Sequence, residues 1–230
     1  MPVLGVFQRL IASKSNDHYA FYILNSLTEH LPAQIFSEYV KQVLYLLFQR
    51  LNTSKTTKLV KNMLVFLSLY SYKYGPVGLF QLIDNLQPGM STMVLEKLFV
   101  ADLQKVSGNL ERKICAVGVT KILVECPFLL SNEANLKIWA ALLESLVCLF
   151  ELPEDSTTPE EEHFIDAEET SGYQSTFNQL FSASRKEADP FNGQVPDAKA
   201  YLAKQLEAAS STMSFSVSWN LFFGFVNEFL

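Results

Sequence analysis

Glu161, Glu162, His163 and Asp166, in the run EEHFID, are the residues of this chain whose types could hold a metal ion. A structural zinc site needs about four ligands in which thiolate or imidazole predominates, and no cysteine lies near this run. No metal is therefore expected there. The three cysteines, Cys115, Cys126 and Cys148, could act as nucleophiles, but each falls on an apolar helical face with no histidine beside it in sequence. A thiol in such a place behaves as a small apolar side chain. His18 and His30 lie near helix ends as ordinary terminal residues. The sequence holds no G-x-S-x-G, P-loop, G-x-G-x-x-G or H-E-x-x-H pattern. No catalytic residue, cofactor or small-molecule substrate is expected, and a helical enzyme remains only as a site built from remote residues.

Charge is the chemistry this sequence does offer. Residues 151–170 carry nine carboxylates and no Lys or Arg, which leaves 15 acids against 18 bases elsewhere, so the formal charge of −6 is local. The candidate partner-binding residues are Glu154, Asp155, Glu160, Glu161, Glu162, Asp166, Glu168 and Glu169. Pro153 and Pro159 stop a preceding helix from continuing through them. Such a run either keeps an apolar chain solvated or meets a basic partner, and Phe164 and Ile165 could instead dock it back onto the fold. Its contribution to a complex would be steering, because exposed charge pairs stabilise by about 0–1 kcal/mol each. A second set, Arg50, Lys55, Lys58 and Lys61, reads as a solvated outer face, with contact to acidic groups as the alternative.

The elements that must position these residues are helical. Val40, Val43, Leu44, Leu47, Phe48 and Leu51 mark one stripe, and Val60, Met63, Leu64, Leu67 and Tyr70 mark another. Trp139, Leu142, Leu143, Leu146, Val147 and Phe150 mark a third, all with the 3.6-residue period. Gly75–Pro76, Pro88–Gly89, Ser107–Gly108–Asn109 and Pro127 punctuate them, and Asp17, Ser54, Asn109 and Asn132 are placed to cap helix starts. Residues 17–31 and 35–51 form one pair; 55–74, a short 76–86 and 90–106 form a longer unit; 109–126 and 132–150 form a third. Two helices per unit at a spacing of about 40–50 residues is the signature of HEAT or armadillo repeats, an irregular bundle being the rival. GVFQRLIASK, 5–14, reads as the second helix of a further unit, so a fragment of a longer array is expected.

At VFQRLIASKSNDH, LLFQRLNTSKTTK, VSGNLERKICAVGVTKILVECP and LFELPEDSTTPEEEHFIDAEETSGYQSTFNQL, the chain resembles the importin-beta superfamily of HEAT-repeat nuclear transport receptors. The likeness covers roughly residues 3–190 and continues more weakly to about 207, and it corresponds to the C-terminal repeats of a much longer family protein. It implies an all-α, right-handed, armadillo-like α-solenoid. It also implies a section of an exportin that returns importin-alpha to the cytoplasm together with GTP-bound Ran, a receptor present in both nucleus and cytoplasm. A generic HEAT scaffold with another partner, or a shortened isoform without transport activity, is the alternative. The expected divisions are helix pairs over 1–150, an acidic loop over 151–170, a further pair over 171–210 that continues the solenoid, and a divergent aromatic tail or helix over 211–230. The stretch AASSTMSFSVSWNLFFGFVN has the length of a membrane span, but its six Ser or Thr and two Asn speak against one. Mild acidity outside one passage speaks against a nucleic-acid binder.

Overall fold

The computed structural model describes residues 2–153 and 189–212, and every described element is helical. In chain order these are α1 (Pro2–Ala12), α2 (Asp17–His30), α3 (Ala33–Thr53), α4 (Thr57–Tyr74), α5 (Pro76–Asp84), α6 (Met90–Val94), α7 (Asn109–Glu125), α8 (Glu133–Glu151) and α9 (Ala198–Thr212). Helix α6 widens without a break into a π-helical turn, Leu95–Val100, and short 3-10 turns follow at Leu103–Lys105 and Pro127–Leu130. The expected single helix over 90–106 is thus one winding segment whose pitch changes along its length.

Local chemistry sets the boundaries. Thr56 accepts a hydrogen bond from the Leu59 amide at 3.2 Å and caps α4, and Asn132 accepts one from the Asn135 amide at 2.9 Å and caps α8. Ser54, which the sequence also offers as a cap, lies two residues before the cap Thr56, while Asn109 and Asp17 are the first residues of α7 and α2, preceded by Gly108 and Asn16. Gly75 adopts φ +91°, a left-handed angle open to glycine, and Pro76 then starts α5 with its ring-fixed φ. That pair of residues turns the chain between two helices with no intervening loop.

The helices lie in two layers. Helices α2, α4, α7 and α9 stack side by side as one layer, while α3, α6 with its π turn, and α8 form the other. Helix α1 packs against α2 and, less extensively, α3. Because α4 and α7 have neighbours on both sides and a second layer behind them, they are buried nearly all round. In α4 every residue from Met63 to Ser71 is buried, and in α7 the same holds from Ile114 to Thr120. A helix apolar on all faces is an interior helix. The stripe Val60, Met63, Leu64, Leu67 and Tyr70 seen in the sequence is part of the continuous burial of α4. In α8, which lies at the side, burial is one-sided and follows Ile138, Leu142, Ser145, Leu146 and Leu149, with Trp139 and Phe150 packed at its margin.

The layer is drawn tightest where α4 meets α7. A Cβ on Gly118 would fall inside the van der Waals envelope of the Ser68 backbone, so the two helices approach at a distance that only glycine permits. Small residues surround this point: Ser68 and Ser71 on α4, Ala116 and Thr120 on α7. Ser71 and Thr120 each return their hydroxyl to the carbonyl four residues back at 2.8 Å, so close packing leaves those groups satisfied. Cys115 is buried in the same crossing, and burial pushes its thiol up to about 12. Cys126 is likewise pushed up to about 12 by burial. Thiols at such values are protonated at neutral pH and serve as apolar packing.

Candidate partner-binding surface

None of the eight candidate acidic residues, Glu154 to Glu169, lies within the described residues, and the same holds for His163, Phe164 and Ile165. The described residues do show how the chain is held on either side of the stretch 154–188. At its start, α8 ends at Glu151, and Arg112 Nη1 donates to the Pro153 carbonyl at 2.6 Å while Arg112 Nε donates to Val106 O at 3.0 Å. At its return, Lys113 Nζ bonds Asp189 Oδ2 at 2.8 Å. Two consecutive cations of α7 therefore hold the chain just before residue 154 and again at residue 189.

The returning chain is fixed further by apolar contact. Phe191 is buried, with its ring edge-on to Tyr72 at 4.7 Å and Lys113 Nζ 5.5 Å from its centroid. Its amide donates to Asp189 Oδ1 at 3.0 Å. Burial alone would raise the Asp189 carboxyl, but the bonds from Lys113 and the Phe191 amide outweigh it and hold it below its ordinary value. Val195 and Leu202 are buried as well, and α9 then lies along α7. Helix α9 is thus a continuation of the first layer by the chain that follows Asp189. No residue pattern in 189–197 marks this docking other than Phe191 and Val195 themselves.

The basic set behaves differently from its expected solvated role. Arg50 Nη2 meets Asp17 Oδ2 at 2.9 Å, with both side chains almost wholly buried, and Arg50 Nη1 donates to Ser54 O at 2.9 Å. Lys55 Nζ lies 2.7 Å from Asp102 Oδ2, and Lys61 Nζ lies 3.4 Å from Glu111 Oε1. Lys58 contributes to the field at Asp17. Arg50 ties α2 to α3, Lys55 ties the chain after α3 to the chain just beyond the π-helical segment, and Lys61 ties α4 to α7. The acidic contacts are internal, and sequence spacing could not reveal them because the partners lie 33 to 50 residues away.

Asp102 sits at a crowded point. Its side chain is 4% exposed, and Lys105 Nζ approaches Oδ1 at 2.6 Å while Lys55 takes Oδ2. Burial raises its carboxyl, yet the hydrogen bonds from Lys105 and Lys55 prevail and lower it. At Asp17 the balance runs the other way: desolvation outweighs Arg50 and the carboxyl is raised.

Among the described residues no cluster of His, Cys, Asp or Glu could hold a metal, and no helix is long and apolar enough to cross a membrane. The aromatic stretch from 213 onward falls outside those residues. What the described surface offers is helix faces and an apolar groove between helices. These are means of binding macromolecules.

Comparison with known proteins agrees with that reading. Residues 1–220 match the family model described as CAS/CSE protein, C-terminus. The chain is 54% identical over 209 residues to Exportin-2 of Homo sapiens and of Danio rerio, and 53% identical to Exportin-2 of Xenopus laevis. In each case the match covers 91% of this chain and 21% of the relative, so the chain spans about a fifth of the length of the relatives it matches. A solved structure, the exportin Cse1 in its cargo-free, cytoplasmic state, aligns at a TM-score of 0.70 and 28% identity, over 98% of this chain and 22% of the other. These relatives are transport receptors, not enzymes. The two-layered array is a section of their HEAT-repeat solenoid, and the chain belongs to the CAS/CSE family, matching its C-terminal part.

Proposed function

We propose that this chain supplies the C-terminal HEAT repeats of an exportin that carries importin-alpha from nucleus to cytoplasm in company with GTP-bound Ran. The observation that carries the reading is the likeness at 54% identity over 209 residues to Exportin-2, joined to the shared fold with the Cse1 exportin. A solenoid suits the task because each unit touches only its neighbours. Small rotations at successive interfaces sum to a large change in curvature, and the array closes on or releases a partner without breaking any single core. The divisions proposed for the chain are helix pairs over 1–150, the acidic loop over 151–170, a pair over 171–210 and the tail over 211–230.

In this reading the acidic residues Glu154, Asp155, Glu160, Glu161, Glu162, Asp166, Glu168 and Glu169 steer a basic partner surface toward the array. The Arg112 bond to the Pro153 carbonyl supports the role, since it anchors the chain one residue before the first of these acids. The test is a chimera of human Exportin-2 in which this chain replaces the matching C-terminal fifth. In cells depleted of their own exportin, importin-alpha gathers in the nucleus, and the chimera is expected to restore it to the cytoplasm. A stable chimera that leaves importin-alpha nuclear would overturn the proposal.

A further inference from the structure

The two layers of the array do not close equally. Helix α8 lies directly against the π-helical turn Leu95–Val100, and Ser145 donates its hydroxyl to Val100 O at 3.2 Å across that contact. Helix α3, the neighbour on the other side, reaches the same unit chiefly through α4 and the inserted α5. A groove of about 590 Å³ stays open between α3 and α6.

Its walls are two parallel stripes. Tyr45 and Phe48 stand on α3 outside that helix's buried stripe, with Gln49 and Asn52 continuing the line, and Met90 and Met93 stand on α6. Tyr45 is 57% exposed and Met93 45%, large apolar groups that a closed array would cover. Both charged residues that line the groove are cations, Lys55 at one rim and Lys97 at the other. Lys55 shares the single carboxylate of Asp102 with Lys105, so this rim stays net positive, and Lys97 has no ion pair among the described residues. Glu96 is the neighbouring acid but does not line the groove. A π turn is rare in helices and commonly falls at functional sites, and here it forms one wall.

We propose that this groove is a docking site for a partner's amphipathic α-helix whose apolar stripe is flanked by carboxylates. The volume suits the few large anchors that a helix presents at i, i+3, i+4 and i+7. Methionine lets the wall adapt to the anchor it meets. The two lysines select acidic flanks and oppose basic ones. The inference stands on the groove alone and does not depend on which cargo the exportin carries.

The probe is a synthetic fluorescent helix with leucines at that spacing and glutamates beside them, compared with a sister peptide carrying lysines instead. Anisotropy with the full chain is expected to show the glutamate peptide binding about tenfold more tightly than the lysine peptide. Lys97→Glu, an exposed substitution that leaves the fold intact, is expected to narrow or reverse that preference. Met93→Glu is expected to weaken the glutamate peptide by about tenfold with an unchanged thermal melt. Equal binding of the two peptides, no binding of either, or indifference to both substitutions would overturn the proposal. So would light scattering that shows a dimer dissolved by Met93→Glu, since a second copy would then be the occupant.

Discussion

Removing the Arg50 guanidinium strands the Asp17 carboxylate in a site almost closed to water. Arg50→Met is expected to lower unfolding stability by about 3–5 kcal/mol, the usual cost of leaving one buried partner alone. Adding Asp17→Leu is expected to return most of that loss, because a buried pair and an apolar filling of similar size are often equivalent. Urea midpoints of the two variants at neutral pH decide it, and the Arg50→Met loss should shrink as the pH falls and Asp17 takes a proton. Asp102 and Asp189 have the opposite sign. Their lowered carboxyls add stability that is fully present above the ordinary value of 3.8 and is lost as the pH falls through their folded values. Asp102→Asn is expected to lower stability at neutral pH and to flatten the acid limb of the stability curve.

Among the elements, the approach of α4 to α7 governs how closely the first layer is drawn. At an exposed helical position Gly→Ala stabilises by up to about 1 kcal/mol through helix propensity. At Gly118 the sign reverses, since the added methyl must push the Ser68 backbone away, and a loss of about 1–3 kcal/mol is expected. Thermal unfolding of Gly118→Ala gives the sign directly. The elements were largely legible from the chain itself. Gly75–Pro76, Pro88–Gly89 and Gly108 fall at the observed turns, and Asn132 caps α8 as its position suggests. The burial of α4 and α7 was not legible as such, because a stripe analysis looks for one apolar face and these helices have no exposed face to contrast with it. The ion partners of Arg50, Lys55 and Lys61 were hidden for another reason: tertiary folding alone brings Asp17, Asp102 and Glu111 to them. The widening of α6 into a π turn likewise has no signature in the run LEKLFV.

At the scale of the molecule, two layers of helices share their cores from one unit to the next, and α7 holds the chain at Pro153 and again at Asp189. The steering role proposed for the acidic passage has a measurable salt response. Reversing Glu160, Glu161 and Glu162 in the chimera is expected to slow association with importin-alpha and Ran at low salt, with the difference fading as screening sets in near 0.15 M, where fields decay over about 8 Å. Stopped-flow rates across a salt series give the comparison. The resemblance to HEAT-repeat transport receptors was legible from long runs such as VSGNLERKICAVGVTKILVECP, whereas the contacts of Arg112 and Lys113 and the groove between α3 and α6 needed coordinates. The most direct measurement is a calorimetric titration of importin-alpha into the purified chimera, with and without GTP-locked Ran. The account predicts that Ran tightens importin-alpha binding by about tenfold or more, a coupling of about 1.4 kcal/mol or greater. An affinity that Ran leaves unchanged, in a folded chimera, would contradict it.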